Sequence, residues 1–515
     1  MSSAGWERQA GALLPVFSMA GRRSWGVGEF GDVPTVCGWL RAAGHRLLNI
    51  LPINEAALGQ ESPYSALSAF ALDPVYITAE HLIDLRAAGG IPALGDEVAR
   101  TVAWAREQPI VDWGAVRWLK DKALRLAWER FRAEELRAGT ARAADFSAWR
   151  AQEATWVDTY ALFRALKDAC APKPWWEWDA PLRERRPAAL ADAAGDLAEQ
   201  IHYHAWVQWV ADREWATVRA EAARTGVRIM GDLPFMVATD SADVWERQSE
   251  FRMDAEVGVP PDAFSETGQR WGLPAYDWPV IRRGGYAWLR LRAARAAALY
   301  DLYRVDHVVG LYRTWSFPAD GSPPGFEPSE PEEQLAHGER VMEALGGAGR
   351  VVAEDLGVIP DFVHESLARL GIPGYRVIRW EVEEDGVFVD PATYPALSLV
   401  TTGTHDTETA RGWWEELPEA ERAAFRAILP PLPDAPTWSE VSGALLCAIY
   451  EAPSVLAVIP WQDLFGLTDR INTPGTFGAH NWTWKLPVPV EEVATAPALL
   501  QRAAELRALA EQSGR

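Results

Sequence analysis

Eight short apolar runs, each bounded by turn residues, constrain the fold of this chain more than any other feature. They are Gly11–Phe17, Arg46–Pro52, Val227–Leu233, Leu302–Val308, Arg350–Leu356, Tyr375–Trp380, Leu397–Thr402 and Val455–Trp461. Continuous apolar runs of this length suit strands buried on both faces, as in a parallel sheet. Between most of them lie stretches of helical period, among them Phe30–Ala43, Ala287–Leu299 and Pro360–Leu370. Alternating strand and helix implies parallel pairing, and eight repeats predict an α/β fold closed as a (β/α)8 TIM barrel. Such barrels keep their sites on the rim where the strands end.

Two spacings are too long for simple crossovers. Residues 53–226 contain helical stretches near Val116–Leu136 and Ala144–Lys167, both rich in Ala, Arg, Glu and Leu. They predict a largely helical inserted subdomain. Residues 1–52 then begin the catalytic barrel and 227–515 complete it. A second insertion, about 236–300, holds Asp243-Val244-Trp245 and Gly258–Gly272; its glycines, prolines and polar residues read as an ordered irregular loop on the rim. The tail after Val488 has the composition of a helix that closes the barrel.

Three of the runs deliver an acid at or just after a strand: Asp306, Glu354 and Asp406. Three carboxylates on one rim point to work on a sugar acetal, where one attacks and another donates and recovers a proton. The rest of the composition fits. A net charge of −22 argues against nucleic-acid and anionic-membrane partners. The 27 tryptophans lean towards carbohydrate, because sugars stack their C–H faces on aromatic rings. Cys37, Cys170 and Cys447 are far apart and show no CxxC, as expected in a reducing compartment. Met1–Gly21 lacks the pattern of an export signal, and no run approaches a membrane span; a cytoplasmic protein is expected. Phosphate-binding glycine motifs and D-x-D-x-D-G loops are absent, so no cofactor is expected. His202-x-His204 looks like paired metal ligands, but it sits in a helical stretch, where residues two apart face different sides; no metal is expected there. Trp175-Trp176-Glu177-Trp178 reads as packed core or as a sugar site.

Longer motifs add a family resemblance. They are Gly231-Asp232-Leu233-Pro234, Arg304-Val305-Asp306-His307, Ala353-Glu354-Asp355-Leu356-Gly357 and Gly403-Thr404-His405-Asp406. With them stand Pro260–Gly272, Ser62-Pro63-Tyr64 followed by Ser68-Ala69-Phe70, and Asn472-Thr473-Pro474-Gly475 followed by Asn481-Trp482. Together these resemble the amylomaltases, the 4-α-glucanotransferases related to the α-amylase superfamily, over almost the whole chain.

The resemblance implies a retaining double displacement on α-1,4-glucans and maltooligosaccharides, with glucose or another glucan as acceptor; an amylase-type hydrolase is the alternative. By motif, Asp306 is the nucleophile, Glu354 the general acid/base and Asp406 the transition-state stabiliser. Neighbouring strand ends are expected to bring Asp306 and Glu354 to the roughly 5–5.5 Å of retaining enzymes. Arg304, two residues before Asp306, faces the same side. Asp355 faces the other side and suits a structural bond. His405 and Asp232 are expected on sugar hydroxyls, Trp271 as a platform and Tyr64 stacked at the non-reducing side. Ser62, Ser265, Glu266, Gln269 and Asn481 complete the expected substrate contacts. The chain departs from the family at Val308-Val309, where an aromatic or basic residue is usual, and at Glu61, where Asp is usual. Its start resembles a branch that elsewhere carries starch-binding modules; without them, small maltooligosaccharides are the expected substrates. A monomer or small homo-oligomer is expected.

Overall fold

The computed structural model describes residues 5–261, 267–383, 386–476 and 478–515. Its strands in chain order are β1 (Gln9–Leu13), β2 (Leu47–Asn49), β3 (Arg228–Leu233), β4 (Phe251–Val259), β5 (Gln269–Tyr276) and β6 (Leu302–Val305). They continue with β7 (Thr314–Pro318), β8 (Gly325–Glu327), β9 (Val351–Ala353), β10 (Gly374–Val377), β11 (Ser398–Thr401) and β12 (Leu456–Pro460). Eight of them close a parallel barrel in the order β1-β2-β3-β6-β9-β10-β11-β12, and β12 pairs back onto β1. Each of the eight apolar runs overlaps one of these strands, though β1 and β10 begin two residues and one residue earlier than read. Most runs outlast their strands because their last residues leave the sheet to build the rim; after β1, for example, Val16–Ser18 turn into a 3-10 helix.

Helices cover the barrel. Ala198–Thr225, 28 residues long, ends at Gly226, whose φ of +74° suits a residue without a side chain. It packs on Ala154–Cys170, on Val33–Ala42 and on β3. The tail helix Pro497–Gln512 buries Ala503, Leu506 and Ala510 and lies on Val33–Ala42 and Trp438–Glu451, the helices flanking the β1–β12 seam.

One element differs from the sequence reading. The 236–300 segment is not an irregular loop: β4 and β5 form an antiparallel hairpin that joins β7 and β8 in a four-stranded sheet, order β5-β4-β7-β8. The pattern hid it because β4 is bulged between Arg252 and Gly258 and mixes charged with apolar residues, breaking the alternation of a half-buried strand.

The Trp175–Trp178 segment belongs to the core: Trp175 and Trp178 are buried, and Trp178 packs on Phe163 and Trp245 at 5.5 and 5.7 Å. Trp176 remains exposed. Of the two histidines, His204 is buried and lies 2.9 Å from Asp168 Oδ2, whereas His202 is exposed, as their helical spacing requires.

Candidate active site

The register of β3, β6 and β9 assembles the centre. Asp232 on β3 pairs with Arg304 on β6, and Val305 pairs with Ala353 on β9, so Asp306 and Glu354 leave neighbouring strand ends together. Arg304 is the hub. Its Nη1 donates to both Asp232 oxygens at 2.9 and 2.7 Å. Its Nη2 lies 2.9 Å from Asp306 Oδ1 and 3.6 Å from Glu354 Oε2. Sharing one nitrogen caps the separation of these two oxygens at about 6.5 Å, the lower edge of the inverting range and compatible with the retaining one. The Tyr64 hydroxyl donates to Asp232 Oδ2 at 2.8 Å, closing the ring of partners.

The backbone positions both acids. The Asp306 amide donates to Leu233 O at 3.1 Å and the Glu354 amide to Val305 O at 3.0 Å. Phe235 N donates to Asp306 Oδ2 at 3.3 Å, and His307 N donates to Glu354 Oε2 at 2.7 Å. His307 makes that bond from the left-handed region, φ +47°, an uncommon state for a residue bearing a side chain. Its ring is wedged against Trp271 at 4.8 Å and Phe235 at 5.3 Å. Residue 310 must be glycine there, because a Cβ would meet the His307 ring at 2.4 Å.

The third acid has a different setting. Asp406 Oδ1 accepts from Asn472 Nδ2 at 2.6 Å, and Asp406 Oδ2 lies 3.2 Å from His405 Nε2. Arg470 donates to the Asp406 carbonyl at 2.8 Å and the Asn472 amide to that of His405 at 3.1 Å. The His405 ring stacks on Tyr64 at 5.1 Å, and Trp482 backs both.

These settings split the acids electrostatically. Burial, with Asp306 adding to it, pushes the Glu354 carboxyl up to about 8 against the pull of Arg304 and the His307 amide. Burial also acts to raise Asp406, but His405, Asn472 and Arg304 outweigh it and hold the carboxyl at about 2. Burial opposes the charge on Arg304; Asp232, Tyr64, Asp306 and Glu354 around it keep the guanidinium protonated. At neutral pH the site thus holds a proton on Glu354 and a negative charge on Asp406. Below it, the space between Leu13, Asn49, Tyr375, Leu399 and Val458 amounts to about 10 Å³, too little for more than one water, so the site stands on a packed floor.

The remaining candidates fall into place unevenly. Asp355 is buried on the other face and accepts from Tyr375 N at 2.6 Å; Gly374 leaves room for it, since a Cβ there would meet Oδ2 at 2.2 Å. Trp271 on β5 is half-buried beside His307. Gln269 begins β5, exposed. Ser62 caps the turn before Tyr64, its Oγ accepting from Tyr64 N at 3.3 Å. Asn481 braces the neighbouring loop: it accepts from Thr473 N at 2.8 Å and donates to Thr476 O at 2.9 Å. Ser265 and Glu266 lie outside the described residues. Val308 is fully buried, its amide donating to Glu354 O at 3.1 Å, and Glu61 is exposed. Sequence reasoning did not single out Asn472, Arg470 or the His307 amide as site groups. Only Asn472 carried a signal, the Asn-x-Pro-Gly motif.

A family model described as 4-alpha-glucanotransferase matches residues 14–490. The chain belongs to this family. A 4-alpha-glucanotransferase of Thermus thermophilus is 37% identical over 532 residues, covering 99% of each chain. The chloroplastic/amyloplastic 4-alpha-glucanotransferase DPE1 of Oryza sativa subsp. japonica is 32% identical, over 95% of this chain and 82% of its own. Among solved structures, the amylomaltase of Streptococcus agalactiae in complex with acarbose superposes with a TM-score of 0.84 at 28% identity, covering 99% of this chain and all of its own. On this barrel rim Asp232, Asp306 and Glu354 gather around Arg304, and Asp406 is held by His405 and Asn472.

Proposed function

We propose that this 4-alpha-glucanotransferase works by a retaining double displacement at the Arg304 hub. Glu354 protonates the glycosidic oxygen while Asp306 attacks the anomeric carbon, giving a glucosyl ester on Asp306 and a free leaving chain. Glu354, now ionised, takes the proton from the 4-hydroxyl of an incoming glucose or glucan. That hydroxyl oxygen displaces Asp306, and the α-1,4 bond is remade with net retention. Asp406 stabilises the oxocarbenium-like charge. One observation carries this reading: Asp306 and Glu354 share a single guanidinium nitrogen, while burial keeps Glu354 protonated at neutral pH. Transfer instead of hydrolysis needs the intermediate shielded from water. The β4–β5 hairpin with Trp271 packed on His307 supports that role for this segment. His405, Asp232, Trp271 and Tyr64 are the proposed sugar contacts, with Ser62, Ser265, Glu266, Gln269 and Asn481 around them. The enzyme acts in the cytoplasm, as a monomer or small homo-oligomer; among the described residues no helix is long and apolar enough to cross a membrane.

The test is a time course with maltotriose alone, resolved by chromatography. Glucose with a ladder of longer oligosaccharides is expected. Glucose and maltose with nothing longer would replace transfer with hydrolysis.

A further inference from the structure

The three acids are not placed by the same means. Asp306 and Glu354 come directly after β6 and β9, and the amide of each bonds a neighbouring strand. Asp406 differs. β11 ends at Thr401, and the Asp406 amide donates to Thr404 Oγ1 within its own turn, at 3.2 Å. The barrel ladder therefore does not set this carboxylate. The two ends of the turn are fixed by buried Asp463, which accepts from Thr402 Oγ1 and, at 2.7 Å, from Ala410 N. The tip of the turn, where Asp406 sits, needs a separate hold.

Arg470 supplies it. Its Nη2 donates to Asp406 O at 2.8 Å and its Nε to Asn472 O at 3.2 Å. Those two residues also bond each other through their side chains, Asn472 Nδ2 donating to Asp406 Oδ1 at 2.6 Å. One guanidinium thus clamps the backbones of an acid and of its hydrogen-bond partner. A rigid planar fork holds two carbonyls at once; an ammonium has no such fork. The guanidinium is itself aimed. Its Nη1 lies 3.7 Å from Glu408 Oε2, and Glu408 Oε1 lies 3.4 Å from Arg379 Nη1. Arg379 is buried just beyond β10. There its Nε donates to Thr402 O at 2.9 Å, its Nη1 to Glu408 O at 3.0 Å, and its guanidinium lies over the Trp413 ring at 5.1 Å. Arg379, Glu408 and Arg470 form a chain of alternating charge across the turn after β11. Arg470 bonds the main chain of Asp406, whereas the carboxylate meets Asn472 and His405. The chain therefore acts on where the carboxylate points.

We propose that Arg470, anchored by Glu408 and Arg379, is a positioning residue for the reaction: it fixes the Asp406 carboxylate towards the transition state by holding the backbone that carries it. The proposal rests on the reading of Asp406 as the acid that stabilises oxocarbenium-like charge. A group of that kind works through preset orientation, and a misplacement of about 1 Å can cost about 10²-fold in rate. The effect belongs to the transition state, so it enters kcat and leaves ground-state binding unchanged. Removing Arg470 strands no buried charge. Its side chain is 31% exposed, and Glu408, 39% exposed, keeps Arg379 as a partner. The fold is expected to survive the change.

Arg470→Met keeps the stem and removes the fork. With maltotriose it is expected to lower kcat by about 10- to 100-fold, with KM and the urea midpoint parental. Arg470→Lys, which reaches one carbonyl, is expected to fall between parent and Arg470→Met, and Glu408→Gln to lower kcat by less than Arg470→Met. The alkaline limb near pH 8, which belongs to Glu354, is expected to stay in place. A double-mutant cycle identifies the target, with α-maltotriosyl fluoride as an activated donor that keeps slow variants measurable. In an Asp406→Asn background, Arg470→Met is expected to change kcat by less than about twofold, because the carboxylate it positions is gone. Parental kcat in Arg470→Met overturns the proposal. So does a rise in KM alone, which makes Arg470 a ground-state contact, or an undiminished loss in the Asp406→Asn background, which makes it act elsewhere. Parental turnover in Asp406→Asn by itself removes the stabilising role of Asp406 and the proposal with it, so that single variant tells the two failures apart.

Discussion

At the scale of single residues, the site depends on Glu354 holding a proton that solvent at neutral pH would remove. Its carboxyl titrates near 8, raised by burial and by Asp306. The working free enzyme is the protonated one, so kcat/KM is expected to fall as pH rises through about 8 in a pH–rate profile. Glu354→Gln removes proton transfer and is expected to lower kcat/KM by about 10²- to 10⁴-fold and abolish that alkaline limb. The same shift has a sign for stability. A carboxyl whose folded pKa lies above its unfolded value loses stabilisation as pH rises from the unfolded value, near 4.5, to the folded one, near 8. Glutamine, neutral throughout, is therefore expected to unfold at higher urea than the parent at pH 9 and to show no gain at pH 4; equal midpoints at both pH values would deny Glu354 its raised pKa. Arg304 carries the opposite burden. It bridges Asp232, Asp306 and Glu354, and Arg304→Met strands Asp232, whose side chain is 1% exposed. A loss of roughly 3–5 kcal/mol in denaturant unfolding is expected, along with loss of turnover.

At the scale of elements, legibility followed burial. The eight barrel strands were readable because a strand covered on both faces is apolar throughout, and the carboxylates were readable because each breaks such a run at its end. The β4-β5-β7-β8 sheet was not. β4 mixes exposed Met253 and Asp254 with buried Val257, and β8 is a three-residue strand following Gly321-Ser322-Pro323-Pro324. Contacts across the chain were also invisible: Asn472 reaches Asp406 over 66 residues, and no spacing rule predicts that distance in sequence becoming 2.6 Å. The unread sheet nonetheless carries Trp271 to the His307 ring, next to Asp306 in the chain. If β5 presents a sugar platform, Trp271→Ala is expected to raise KM for maltotriose about three- to tenfold, the worth of one aromatic contact. It is also expected to shift products from transfer towards free glucose and maltose, since the ring shields the intermediate. A variant with parental KM and product ladder would leave Trp271 a packing residue for His307.

At the scale of the whole molecule, the barrel must close on itself, and it does so where the chain's two ends meet. β1 pairs with β12 over five residues, from Gln9 with Leu456 to Leu13 with Pro460. This is the most non-local pairing in the fold, and ladder bonds alone do not repay the entropy of closing so long a loop. The tail helix Pro497–Gln512 supplies the rest by covering the helices on either side of the seam. Arg515 then ties it down by donating to the carbonyls of Tyr450 and Ala452. Closure and chemistry are thus assigned to different layers: the helix touches neither Arg304 nor its carboxylates, and those acids are oriented by strands already in register. Leu506, fully buried on that helix, is the residue to separate the two. Leu506→Ala is expected to cost about 2–5 kcal/mol in denaturant unfolding, the range for a buried leucine whose cavity relaxes only in part. Its KM for maltotriose and its alkaline limb near pH 8 are expected to remain parental well below the unfolding transition. A shifted limb would mean that the seam sets the burial of Glu354, and that the barrel transmits its closure to the proton on which the reaction depends.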